Sequence, residues 1–329
     1  MKALLSRGPG PPESLELTEV PEPRPGPGEV RIAVAACAIN YPDALIIEDR
    51  YQVRPDRPFA PGAEVSGVVD SIGEGAGLQV GDRVIAMPGF GGLAGKLVLP
   101  AHQCVPIPDQ TPLDEAAALL MTYGTALYGL NWRGGLRAGE RLLVLGAAGG
   151  VGLAAVEVGK ALRAEVIAAA STPEKAALAL QAGADRTLIY PRGPFDREGK
   201  RALSSLIKDA CPEGLDVVFD PVGGDYAEAA LRSLRQEGRL LVVGFTAGIP
   251  RMPLNLVLLK SCQVVGVAWG AVAREQPALF AEVAAEVVRL HMEGRIRPRI
   301  TERIALDQAP AAIARLAART AVGKSVVMF

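Results

Sequence analysis

The chain has 329 residues, 49% of them apolar and 22% charged, with a formal net charge of −1. That is enough apolar material for two packed domains, too little charge for a disordered chain, and no field to recruit nucleic acid or an anionic membrane. Four scattered cysteines (Cys37, Cys104, Cys211, Cys262) and two histidines exclude a disulfide scaffold, a Cys-x-x-Cys zinc knuckle and any site of three imidazoles.

From the N-terminus, residues 1–9 hold too short an apolar run for a signal peptide. Pro21, Pro23, Pro25 and Pro27 predict no regular structure before Glu29. Val/Ile runs at 30–34, 65–69, 83–86 and 96–99, punctuated by Gly and Pro, then read as an irregular all-β module. Cys37 and the His102-x-Cys104 pair read as buried structural residues rather than metal ligands. Beyond about residue 113, apolar runs alternate with amphipathic stretches. Strands are predicted at 141–145, 165–170, 186–189, 216–219, 239–243 and 263–268, with helices at 151–162, 173–181, 201–210 and 226–234. This is the pattern of a doubly wound parallel α/β sheet. A longer helix at 276–292, a helical stretch at 307–319 and a strand at 325–329 follow. The uncharged stretch 142–156 is glycine-rich and shorter than the roughly 18 residues of a membrane span, so the expectation is a cytoplasmic protein that does not enter membranes.

The sharpest local signal is Gly146-Ala147-Ala148-Gly149-Gly150-Val151-Gly152, between the first strand of this sheet and its helix. A glycine turn there lets backbone N–H groups and the positive helix end approach a pyrophosphate; the competing reading is a tight turn and nothing more. The next strand ends Ala168-Ala169-Ala170 and runs into Ser171-Thr172-Pro173-Glu174-Lys175. No carboxylate closes that strand to hold a ribose 2′-OH and repel a 2′-phosphate. Ser171 and Thr172 can donate hydrogen bonds and Lys175 supplies charge, which favours NADPH. Glu174 counts against it, and Lys175 also reads as an exposed helix lysine.

Several segments in order carry a resemblance: Asn40-Tyr41-Pro42-Asp43, residues 61–69 (PGAEVSGVV), Val80-Gly81-Asp82-Arg83-Val84, the glycine loop, Ala182-Gly183-Ala184-Asp185, and Asp220-Pro221-Val222-Gly223-Gly224. Together they resemble the medium-chain dehydrogenase/reductase superfamily, in its zinc-free, zeta-crystallin-like quinone oxidoreductase branch. The resemblance implies a GroES-like β-rich catalytic domain over residues 1–120, completed by 272–329, and a Rossmann nucleotide-binding domain over 121–271. It implies a nicotinamide cleft, and a homodimer joined through the sheet-edge strand at 263–268. The positions of the zinc ligands in zinc-dependent relatives hold Asn40, Ala63 and a residue near Met121, so no metal is expected.

The resemblance further places Asn40 and Thr125 beside the nicotinamide and Tyr51 in the substrate cleft. Gly149, Gly150 and Val151 fall at the pyrophosphate, Lys175 and Tyr190 at the 2′-phosphate, and Phe245 at the ribose or nicotinamide through its backbone. An Asn-Tyr-Pro turn, a packing tyrosine and helix packing are the structural alternatives for Asn40, Tyr51 and Thr125. A second cleft tyrosine of related quinone reductases is replaced by Leu45. Without zinc to stabilise an alkoxide, alcohol oxidation is disfavoured, and a conjugated acceptor such as a quinone or α,β-unsaturated carbonyl is expected. A 2-enoyl thioester reductase, with Arg50, Arg54 and Arg57 as a basic rim, and a non-catalytic NADPH-binding protein are the alternatives.

Overall fold

The computed structural model describes residues 1–329. Its first two strands precede the proline run. β1 (Lys2–Leu5) and β2 (Glu16–Glu19) pair antiparallel, so regular structure does exist before Glu29, contrary to expectation. The four prolines interrupt only the segment after β2, where a missing N–H cannot feed a ladder. β3 (Glu29–Ala38) alternates half-buried and buried residues along EVRIAVA, then goes under on both faces at Cys37 and Ala38. After α1 (Tyr41–Ile46) come β4 (Glu64–Ile72), β5 (Arg83–Ala86), β6 (Lys96–Pro100), β7 (Cys104–Pro106) and α2 (Leu113–Ala116). Cys37 and Cys104 are buried as expected, whereas His102 is exposed on the short turn before β7.

Next comes a stretch with wide turns: Leu120–Gly124 and Tyr128–Arg133 are π-helical on either side of α3 (Thr125–Leu127). Strands and helices then alternate as β8 (Arg141–Val144), α4 (Gly150–Ala161), β9 (Glu165–Ala170), α5 (Pro173–Gln181), β10 (Arg186–Ile189), α6 (Arg197–Ala210), β11 (Leu215–Asp220), α7 (Gly224–Ser233), β12 (Leu234–Val242), α8 (Leu254–Leu259) and β13 (Gln263–Gly266). The six strands lie in the order β10-β9-β8-β11-β12-β13, all parallel. β8 starts the sheet at its centre and the chain winds outward both ways, so the loop after β8 lies where the strand order reverses. That is where open α/β sheets bind ligands.

The chain continues through α9 (Trp269–Glu275), α10 (Pro277–Met292), β14 (Ile300–Ile304), α11 (Ala309–Ala317) and β15 (Lys324–Met328). α9 was not expected; Pro277 separates it from α10 by occupying the first helical position of the latter. β14 was missed because Ile-Thr-Glu-Arg-Ile carries a charged pair in a run of five.

Contacts divide the chain into two units, one of residues 1–121, 270–292 and 297–329, the other of residues 122–269 and 293–296. In the first, the sheet runs β14-β15-β3-β4-β5-β7, with β6 also on β3. β15 is parallel to β14 and antiparallel to β3, so the last strand lies between elements of the first and last segments. The core of this unit gathers Ile32, Ile39, Ile46, Val69 and Leu93 with Ile313 and Val327. The core of the second packs Leu143, Ile167, Val218 and Leu240 beneath Leu203, Ile207 and Leu231. No helix is long and apolar enough to cross a membrane.

Candidate functional site

In the β-rich unit the polar residues converge below the start of α1. Asn40 is extended (φ −128°, ψ 160°), and its amide donates to Asp43 Oδ2 at 2.7 Å. Asp43 Oδ1 accepts from the Gly62 amide at 2.9 Å. Asp43 is fully buried, and desolvation pushes its carboxyl up to about 6 despite the two backbone N–H groups that favour the anion.

The Asn40 side chain is committed to the protein. Nδ2 donates to Ala38 O at 3.1 Å and to Glu64 Oε1 at 2.8 Å, while Oδ1 accepts from Lys324 Nζ at 2.7 Å. Lys324 spends its other two N–H groups on Glu64 Oε1 (2.9 Å) and Ile39 O (3.3 Å). The second Glu64 oxygen accepts from the Met121 amide at 2.8 Å. Glu64 and Lys324 are both buried, at 1% and 6% exposure. With both amide hydrogens engaged and 5% exposure, Asn40 is placed as the keystone of a closed polar network. A divalent metal at this point would meet an ammonium and a carboxamide instead of thiolates and imidazole, a donor set that does not fit zinc.

Tyr51 packs half-buried against the core of this unit. Burial raises its phenol above the usual range; the Arg274 guanidinium opposes that shift and Asp43 adds to it. Two of the three arginines considered as a basic rim are occupied. Arg50 pairs with Glu48 at 2.9 Å, and Arg57 pairs with Asp49 at 2.9 Å and lies over the Phe59 ring. Only Arg54 remains without a partner among them.

In the parallel-sheet unit, β8 runs into Gly146 at φ +61°, a left-handed conformation that glycine adopts without strain. Gly149 then caps α4 in an extended conformation, its amide donating to Gly146 O at 3.0 Å. Gly149 is exposed, and Gly150 and Val151 are half-exposed at the start of the 12-residue α4. A Cβ at Gly152 would lie 2.8 Å from Ala147 Cα and closer still to Gly146 O, so the helix approaches the loop more tightly than any side chain permits. The arrangement fits a pyrophosphate, with backbone donors accessible at a helix N-terminus.

At the end of β9, Ser171 is half-buried and Thr172 caps α5, accepting from the Lys175 amide at 3.3 Å. The Glu174 carboxyl is held below its usual range by its own amide and by the Thr172 hydroxyl. Thr172 therefore serves the helix start, and Glu174 is exposed. Lys175 is half-buried, and its ammonium is pushed down by desolvation and by Arg192 nearby, a cation that the sequence reading missed. Tyr190 is buried, its ring 5.0 Å from that of Tyr226, and burial raises its phenol to about 12, an effect that the nearby Gly146 amide opposes. Phe245 is 47% exposed on the loop after β12.

Below that loop, Asp220 Oδ1 accepts from the amides of Val222 and Gly223, both at 2.8 Å, and burial raises its carboxyl to about 6. Thr125 lies half-buried between the two wide-turn segments; Trp269 is buried with its ring 5.7 Å from Tyr128 and is core.

The structure thus groups Asn40 and Asp43, with Tyr51 near Asp43, in one unit, and the glycine loop with Tyr190, and Thr172 with Lys175, in the other. Glu64 and Lys324 were missed as site residues. Each is a lone charge next to an apolar strand segment (Val65 to Val69; Val326-Val327), and two such charges of opposite sign are the available signal.

Comparison with known proteins bears on the whole chain. Residues 26–109 match the family described as alcohol dehydrogenase GroES-like domain, and residues 150–286 match zinc-binding dehydrogenase. The bovine quinone oxidoreductase-like protein 2 is 40% identical over 94% of this chain and 88% of its own length. A quinone oxidoreductase of Pseudomonas aeruginosa is 35% identical over 97% of each chain. Among solved structures, a mycobacterial protein complexed with NADPH superposes over 100% of both chains with a TM-score of 0.90 at 29% identity.

Proposed function

Since the chain belongs to the quinone oxidoreductase branch of the medium-chain dehydrogenase/reductase superfamily, we propose that it binds NADPH on its parallel-sheet unit and reduces a quinone or an α,β-unsaturated carbonyl without zinc. The observation that carries this reading is the end of β9. It bears no carboxylate, and the half-buried Lys175 lies near a second cation, Arg192, two positive charges suited to a 2′-phosphate. Bound NADPH would supply a hydride from C4 of its nicotinamide. The loop amides of Gly150 and Val151 hold the pyrophosphate, and Ser171 adds a hydroxyl beside the two cations. The buried Asn40–Glu64–Lys324 network fixes the start of α1. A conjugated acceptor needs no Lewis acid, because the incoming electron pair spreads to an oxygen.

The test is NADPH and NADH oxidation by purified protein against quinones, 2-alkenals, cyclic enones and 2-enoyl thioesters, repeated with Lys175→Glu. Turnover of one acceptor class with NADPH is expected. The variant should weaken NADPH about 100-fold, on the order of 3 kcal/mol, with a change in NADH of less than threefold. Equal losses with both cofactors would remove the 2′-phosphate assignment. Binding of NADPH without turnover of any acceptor would leave a non-catalytic nucleotide-binding protein.

We further propose a homodimer through β13. This strand is paired on one side only, and Leu254, Leu258 and Leu259 on the preceding α8 are 72%, 79% and 71% exposed, with Val264 at 42%. An edge strand beside exposed leucines is an aggregation liability unless covered, and a two-fold axis perpendicular to β13 covers it with the antiparallel β13 of a second copy. Light scattering after size exclusion should give a dimer that Leu258→Glu dissociates. A monomeric wild type at micromolar concentration would sink the proposal.

A further inference from the structure

Asp220 ends β11, the neighbour of β8 at the point where the strand order reverses, and is 2% exposed. Its carboxyl is used on one side only. Oδ1 takes the amides of Val222 and Gly223, whereas Oδ2 has no hydrogen-bond partner in the protein. The turn held in this way runs on through Gly223 at φ +68° and Gly224 at φ +54°, where glycine backbone is freest to move. An asparagine would accept the same two amide hydrogens without burying a charge, so the turn alone does not account for the charge.

The turn reaches the glycine loop through Val222. A Cβ built on Gly146 would lie 3.0 Å from Val222 Cγ2 and 3.8 Å from Pro221 Cγ, so these two side chains cover the face that Gly146 leaves bare. Val222 O accepts from the Ala247 amide at 2.7 Å, and the Gly224 amide donates to Gly248 O at 2.7 Å, which ties the turn to the loop carrying Phe245. One carboxyl therefore sets a segment that touches both loops.

We propose that Asp220 is a positioning residue for the nucleotide: its charged carboxyl holds Val222 against Gly146 and keeps the glycine loop shaped to present the Gly150 and Val151 amides. This role rests on the nucleotide-binding reading above and makes that binding sensitive to a proton. A carboxylate accepts amide hydrogens more strongly than a neutral carboxyl does, so a proton on Asp220 slackens the turn. Burial lifts the carboxyl to about 6, which brings that event into a working range. The titratable group facing it is the Tyr190 phenol just after β10, neutral throughout this range, and no lysine or arginine charge acts on it. Nucleotide affinity should fall as pH drops through about 6. Stability should move the other way. Asp220 holds its proton more tightly in the folded chain than in the unfolded one, so its contribution is full below the ordinary value of 3.8 and is lost as pH rises through about 6.

Fluorescence titration with NADH from about pH 5 to about pH 8, with melting temperatures taken in the same buffers, tests this. NADH is the probe because it lacks the 2′-phosphate, whose own protonation would otherwise be read. Wild type should bind about 5-fold more weakly at the acid end. Asp220→Asn keeps an acceptor for the two amides and removes the titration. It should bind at wild type's low-pH level throughout, about 5-fold below wild type at the alkaline end, and melt at a higher temperature there. Asp43 titrates in the same range in the other unit, so the variant and not the pH profile makes the assignment. Val222→Ala leaves the carboxyl and removes its contact with Gly146; affinity should lose its pH dependence while the melting temperature keeps it. A merely structural carboxyl would move affinity and stability together. Wild-type affinity that is flat or rises toward acid, or Asp220→Asn with the wild-type profile, would overturn the role of Asp220 and leave nucleotide binding in place. Wild type that binds neither NADH nor NADPH would remove the nucleotide reading itself, and this role with it.

Discussion

Lys324→Met is expected to destabilise the β-rich unit by about 3 to 5 kcal/mol, the usual cost of removing one partner of a buried ion pair. Glu64 would keep its bonds from Asn40 Nδ2 and the Met121 amide but would lose its only cation, and Asn40 Oδ1 would lose its donor. Glu64→Gln in the same chain removes the stranded charge, so the double variant should recover part of the loss. The ion pair lies in a unit without tryptophan; Trp132 and Trp269 both belong to the parallel-sheet unit. Hydrogen exchange at the amides of β3, β4 and β15 should therefore accelerate, while tryptophan fluorescence reports an unchanged second unit. Exchange in those strands slowed or accelerated by less than about 1 kcal/mol would show that the network is not cooperative.

Gly152→Val is expected to abolish binding of NADPH and NADH alike. The new Cβ would meet backbone atoms, Gly146 O and Ala147 Cα, which cannot rotate aside as a side chain would. Either α4 moves away from β8 or the glycine loop opens, and both displace the amides of Gly150 and Val151. A loss of about 100-fold or more in affinity for both cofactors follows, on the order of 3 kcal/mol, with a stability cost of about 1 to 3 kcal/mol from overpacking. Isothermal titration with each cofactor decides it, and intact NADH binding would show that the loop does not hold the pyrophosphate. This pattern differs from that of Lys175→Glu, which should discriminate between the two cofactors.

The parallel sheet was legible because its central strands β8, β9 and β11 are largely apolar runs buried on both faces, and each crossover helix has its own period. Strand ends were less so. β12 begins at Leu234, ahead of Arg235, Gln236 and Glu237, because its pairing with β11 and not its hydrophobicity extends it. The glycine loop could be read because its chemistry is local, within seven residues. The network around Asn40 could not. Its members come from positions 40, 64, 121 and 324, and nothing near Lys324 in the sequence indicates that its ammonium meets Glu64. Tyr190 shows a third limit. Its position beside the loop follows from the order of β9 and β10, but only packing against Tyr226 decides that it faces inward.

The placement of β15 between β14 and β3 also sets an order of events during synthesis. Residues 122–269 emerge as a nearly continuous block and can close their sheet while the ribosome is still translating. The β-rich unit cannot, because Glu64 waits 260 residues for Lys324. Until then its first segment carries a carboxylate destined for burial with no countercharge, and β3 exposes the edge that β15 will occupy. The earlier-made portion is thus the later to mature, and its open edge is the surface a nascent-chain chaperone would find.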